Sequence, residues 1–169
     1  FKMGVVNSSS VVVDTAAEPA QPSPVAKTIM ASLIGLGYAV SVNSRNVLNI
    51  ADLIDGQKYN IVAIVDEEKN QISINCHVAS LGDFSEEDSF LRNYFFALVN
   101  MNDVIAPFAT SIITSEDDSS VENPKITLVN CWNLLSEETN ASNLKYQMDS
   151  LRKAVVYYRS QIATLLTIK

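Results

Sequence analysis

The stretch Tyr59-Asn-Ile-Val-Ala-Ile-Val-Asp66, followed after Glu67-Glu68-Lys69-Asn70 by Gln71-Ile-Ser-Ile-Asn-Cys-His-Val78, decides the fold. Its first half is apolar and rich in β-branched residues, as suits a central strand. Its second half alternates strictly, with Ile72, Ile74, Cys76 and Val78 on one face and Ser73, Asn75 and His77 on the other. Successive side chains of a strand point to opposite faces, so this alternation predicts a strand with one buried side. The four polar residues between the halves form a short turn, and the whole reads as a β-hairpin.

Upstream of the hairpin, Tyr38–Val42 and Val47–Ile50 alternate well enough for one bent strand or two short ones. Before them, Ser23-Pro24 reads as a cap followed by proline at the first helical position, where its missing N–H costs nothing. Ile29, Leu33 and Leu36 then recur at helical spacing, and Gly35 and Gly37 end the helix. Residues 1–22 hold Pro19, Pro22 and Ser8-Ser9-Ser10 and few large apolar groups, so they read as a flexible tail. Val11-Val12-Val13 is the only part of it able to add a strand to an edge. The folded domain is therefore expected over residues 23–169.

Downstream, Ser85-Glu-Glu-Asp88 matches a capping box ahead of an apolar helix, Phe90–Asn100. Leu91, Tyr94, Phe95 and Leu98 form its buried stripe, widened by Phe90, Val99 and Met101. Pro107 closes the connection to two more strands, Phe108–Ile113 and Lys125–Trp132, joined by the acidic loop Ser115–Asn123. The final element is the most regular: Leu144, Met148, Leu151, Val155, Tyr158, Ile162 and Leu165 follow one another at alternating steps of four and three. That is a heptad seam on a long helix, to be used against the sheet or, alternatively, for self-association.

With 169 residues, 47% of them hydrophobic and 18% charged, the chain fits one domain with its own core. No apolar run approaches the ~18 residues of a membrane helix, and no targeting signal is visible, so a cytoplasmic protein without a membrane partner is expected. The net charge of -7 argues against nucleic acid, whose phosphates need a basic surface. The charge is unevenly placed. From Asp52 to Glu138 there are 16 acidic residues against Lys58, Lys69, Arg92 and Lys125, whereas Lys145, Arg152, Lys153, Arg159 and Lys169 near the end face only Asp149. An acidic body and a basic last helix can pair within the fold or across a dimer.

The order of elements is helix, strands with a hairpin, helix, two strands and a long helix. Together with Ala97-Leu98-Val99-Asn100-Met101-Asn102 at a helix end, Pro107-Phe108, Ile126-Thr-Leu-Val129, the polar break Ser136-Glu137-Glu138-Thr139 and a last helix from about Asn143-Leu144, it resembles the type III secretion chaperone-like fold. Within that fold it is similar to the bacterial sensory-transduction-regulator (YbjN-type) proteins, over residues 24–166. The resemblance implies an α+β fold, an antiparallel β-sheet with helices packed on one face, in the order α-β-β-β-α-β-β-α. It further implies homodimers that bind protein or peptide segments rather than catalysts, and it carries over no catalytic residues.

The residues themselves show no constellation for chemistry. His77 is the only histidine, and Cys76 beside it points the other way, so the two cannot chelate one ion unless Cys131 or a carboxylate completes a site. An exposed or hydrogen-bonded histidine is the simpler expectation. Cys76 and Cys131 both sit in apolar strands, as two buried thiols or as a disulfide between strands. No nucleophile elbow and no glycine-rich phosphate loop is present. The acidic clusters Asp66-Glu67-Glu68, Glu86-Glu87-Asp88 and Glu116-Asp117-Asp118 fall at turns or helix starts, where solvation and the helix dipole account for them. No catalytic, cofactor or metal residues are therefore expected.

What remains is surface. Phe96 falls off the buried stripe of its helix, and Tyr157 cannot share a face with Tyr158. Phe96, Tyr157, Tyr158 and Ile162 are the candidate interface residues. The leading reading is a non-enzymatic protein-binding module, chaperone-like or regulatory, acting as a homodimer. Its rivals are a small ligand-binding domain or enzyme with an unrecognised pocket, and a structural subunit assembling through its N-terminal tail.

Overall fold

A computed structural model describes residues 21–84, 87–113, 124–133 and 141–167. The tail segment Val11–Val13, the acidic loop 115–123 and the polar break 136–139 lie outside the described residues.

The chain runs through α1 (Pro24–Gly35), β1 (Ala39–Ser44), β2 (Val47–Ile54), β3 (Gln57–Asp66), β4 (Gln71–Ser80), a short 3-10 turn (Leu81–Asp83), α2 (Asp88–Ile105), β5 (Ala109–Ile113), β6 (Lys125–Asn133) and α3 (Ala141–Thr167). The six strands form one antiparallel sheet in the order β1-β2-β3-β4-β6-β5. This is an α+β fold, as expected. The order contains one strand more than the sequence reading, because the bent segment resolves into β1 and a β2 that continues through Ile54.

β1 and β2 are parted by the turn at Arg45-Asn46, and the far end of β2 is set by Asp55-Gly56. Asp55 and Gly56 both have positive φ, 48° and 78°, the conformation of a tight hairpin turn, in which glycine carries no Cβ penalty. That turn joins β2 to β3 in continuous register from Ile54↔Gln57 to Val47↔Ile64. The β3–β4 hairpin forms as read, with Asp66 Oδ1 accepting from the Lys69 N–H at 2.9 Å across the turn.

Alternation buries Leu48, Ile50, Ile61, Ala63, Ile72, Ile74, Cys76, Ile126 and Leu128 on the helix-covered face. α1 begins as read, with Ser23 Oγ accepting from the Ala26 N–H at 3.2 Å, and it packs against β1, β2 and α3. α2 runs from Asp88 to Ile105 with Glu87 as its cap residue, longer at both ends than Phe90–Asn100, while Ser85 and Glu86 of the capping box lie outside the described residues. Its buried residues are Tyr94, Leu98, Met101 and Ile105. Val99 was expected to widen that stripe but is 67% exposed, because it lies one residue round the helix from Leu98. Asn102 ties the end of α2 to β5, its Oδ1 accepting from the Thr110 N–H at 2.8 Å.

α3 runs for 27 residues. Leu144, Met148, Leu151, Val155, Tyr158 and Ile162 of its heptad seam are buried against the rest of the core, and Leu165 is partly so. The seam is thus spent on packing within the fold. Tyr158 and Ile162, both read as candidate interface residues, are 3% and 6% exposed and are corrected to core. Their place in the seam is the physical reason: a residue on the stripe that meets the sheet has no solvent-facing side.

Candidate interaction surface

α2 and α3 pack side by side on the sheet. They run in opposite directions, since Phe96 and Asn100 lie beside Gln161 and Leu165, while Val104 lies beside Tyr146 and Ser150. The ridges that face away from the sheet carry large apolar side chains: Phe96 is 62% exposed, Val104 59% and Tyr146 58%. Isolated exposed apolar residues are ordinary on a protein surface, but a contiguous set is not.

Three concavities adjoin α3, two between it and α2 and the third on its other flank. One of about 320 Å³ lies between the end of α2 and Tyr146, Ser150 and Lys153. A second, about 490 Å³, lies between Phe96, Met101 and Leu165. The third, about 660 Å³, lies where α3 meets the β2–β3 turn and is lined by Leu53, Val156 and Ser160. Tyr157 lines all three. Partly buried beside the fully buried Tyr158, it divides the groove and joins its segments.

Of the four interface residues read from the sequence, the structure brings Phe96 and Tyr157 to this one groove and places Tyr158 and Ile162 beneath it. Val104, Tyr146 and Lys153 were not singled out. The signal for two of them was present: Tyr146, Ser150, Lys153, Tyr157 and Gln161 form a second stripe at steps of four, three, four and four, flanking the heptad seam.

Most of α3's positive charge is consumed inside the fold. Arg152 donates from Nε and Nη2 to both oxygens of Asp52 at 2.8 and 2.7 Å, and its guanidinium lies 5.3 Å from the centre of the Tyr38 ring. The hydrogen bond to Asp52 raises the Arg152 pKa above its ordinary value. Arg159 meets Asp55 at 3.3 Å and Lys145 meets Asp149 at 2.6 Å. Lys153 has no ion-pair partner among the described residues and lines two of the three concavities. Lys153 thus places a positive charge beside Tyr157, and, after the Lys145 hydrogen bond, it is one of the charges close enough to Asp149 to lower its pKa.

The two cysteines part company. Cys76 is buried, and burial pushes its thiol up to about 12, so it is held as an inert thiol. Cys131 is exposed, a correction to the expectation of two buried thiols. In β6, Trp132 pairs with the buried Ile72 while Cys131 pairs with Ser73 on the opposite face, so no disulfide joins it to Cys76. His77 is exposed, with Nε2 3.5 Å from Ser80 Oγ. Among the described residues no group of three His, Cys, Asp or Glu side chains is placed to hold a metal ion, and no helix is long and apolar enough to cross a membrane.

No protein-family model matches the chain, and no curated protein or solved structure matches it.

Proposed function

We propose that this chain is a non-enzymatic protein-binding module that holds an amphipathic segment of another protein along the α2–α3 groove, in a chaperone-like or regulatory role. The observation that carries this reading is Tyr157, a single aromatic side chain lining three adjoining concavities amid exposed apolar residues. Aromatic residues set in such positions commonly anchor interfaces, because they bury much apolar area with little loss of side-chain freedom. The resemblance to the type III secretion chaperone-like fold supports the same reading.

The groove sets the chemistry of its occupant. A helix laid along it presents apolar side chains at i, i+4, i+7 and i+11 to the two concavities between α2 and α3. A carboxylate on that segment meets Lys153, which forms no ion pair among the described residues. The test is fluorescence anisotropy with a labelled helical peptide of about sixteen residues, with leucines at that spacing and glutamates flanking them. The full chain binds it, and Tyr157→Ala weakens binding about tenfold or more, as loss of an interface anchor does. A chain that binds neither this peptide nor its lysine-flanked counterpart, or binds both equally with and without Tyr157, overturns the proposal.

A small-ligand site is the second reading. It rests on the size of the concavities, which fall within the ~300–1,000 Å³ of small-molecule pockets. All three are partly open to solvent rather than enclosed, which favours the peptide.

A further inference from the structure

The face of the sheet turned away from the helices has an unusual composition. Across the six strands only Asp52, Lys58, Asp66 and Lys125 are charged. Asp52 alternates onto the helix side with Ile50 and Ile54, and the other three stand at or near strand ends. Among the described residues no element covers this face, and between those charges it is neutral. Its central row runs in register through all six strands as Ser41, Asn49, Val62, Asn75, Val129 and Ala109. Ile64, 41% exposed, pairs with Ser73 in the next row.

A sheet face bathed in water is commonly polar, and β-propensity disfavours lysine and glutamate there only mildly. Here the charge is excluded from the centre, although the chain carries -7 overall. A charge-depleted centre within a charged rim is the composition of a protein–protein interface.

We propose that a second copy of this chain covers this face, sheet against sheet. Three arguments favour that occupant. The face is broad: six strands about 4.8 Å apart and some five residues long give a flat footprint of roughly 400 Å², about half of the ~800 Å² per partner of a standard interface before side-chain relief is added. The face is also self-complementary. A two-fold axis sets each patch against its own copy, which a charged patch cannot tolerate and a neutral one can. Asparagine amides both donate and accept, so Asn49 and Asn75 can each be matched by the same residue type across the axis. Finally, a partner bearing charge would bury it there without a counter-ion, at a cost. The pairing stands independently of the two concavities between α2 and α3, which lie on the helical side, and it leaves them open in each copy.

The test is the solution mass of the full chain by light scattering at micromolar concentration, read alongside labelling of Cys131 by a thiol reagent. Cys131 pairs with Ser73 on the proposed interface. The wild-type mass is near twice 18.5 kDa. Ile64→Glu halves it and speeds Cys131 labelling, whereas Val99→Glu on the helical side changes neither. If Ile64→Glu loses its folded circular-dichroism spectrum, Asn60→Glu, at an exposed position of the same face, takes its place. A monomeric wild type overturns the proposal. So does a dimer that withstands a charge on the sheet face and is broken by Val99→Glu.

Discussion

The hydroxyls of Tyr94 and Tyr158 lie 2.8 Å apart inside the core, joining α2 to α3 beneath the groove. Both residues are buried, at 0% and 3% exposure, and Tyr94 also packs on the rings of Phe84, Phe90 and Phe95. Each hydroxyl is the other's partner. Removing one strands its mate in an apolar setting, while removing both strands nothing. We expect Tyr94→Phe and Tyr158→Phe each to cost about 1–2 kcal/mol in denaturant unfolding, and the double variant to cost no more than either single change. Additive losses would show that the two hydroxyls do not act as a pair.

The same burial makes the fold sensitive to alkali. Burial pushes Tyr94 up to about 12 against a lowering influence of the Tyr158 hydrogen bond, and Tyr158, also raised first by burial, stands above its ordinary value too. Cys76 is raised from 9.0 to about 12. In all three the neutral, protonated form belongs to the folded state. Their contribution is complete below the unfolded pKa values and is lost as pH rises through the folded ones. Melting temperature should therefore hold to about pH 9 and fall steadily toward pH 12. Cys76→Ala should reduce the part of the fall that begins near pH 9, with tyrosinate absorbance marking the remainder.

Arg152 and Asp52 form an unequal pair. The Asp52 side chain is 6% exposed and that of Arg152 is 45%. Losing the arginine leaves a buried carboxylate alone, whereas losing the aspartate frees an arginine that can reach water. Arg152→Ala should cost about 2 kcal/mol and Asp52→Ala about 1 kcal/mol, both by chemical denaturation. The reverse order would contradict this account of the pair.

Several of these relationships were legible before any coordinates. The β3–β4 hairpin and the α3 seam could be read because each has a single unbroken period that matches its burial. The sequence leaves open one bent strand or two over Tyr38–Ile50, and the continuation of β2 to Ile54, closed by Asp55-Gly56, is not legible because the charged Asp52 interrupts an otherwise apolar run. That charge is tolerated only because Arg152, 100 residues later, reaches it. No local pattern reveals such a partner. Val99 and Cys131 were read as buried because they adjoin buried residues in apolar segments. Which of two neighbouring positions faces inward is fixed by where the helix or strand docks, a tertiary fact. For the groove, Phe96 and Tyr157 were legible as residues off a stripe, but their convergence needed α2 and α3 to pack in opposite directions.

Lys153 gives the groove a charge preference that can be inverted. Lys153→Glu should weaken the glutamate-flanked peptide severalfold and strengthen its lysine-flanked counterpart. Because Lys153 is exposed and has no ion-pair partner among the described residues, thermal stability should move little. An exchange that leaves both affinities unchanged would remove Lys153 from the recognition surface.

The most direct measurement of the central claim is backbone amide NMR of the full chain during titration with the glutamate-flanked peptide. The account predicts shift changes concentrated at Phe96, Val104, Lys153 and Tyr157, with Asn49, Val62 and Asn75 on the opposite sheet face unmoved. Changes centred on the sheet face, or none at saturating peptide, would contradict the assignment of the α2–α3 groove as the binding surface.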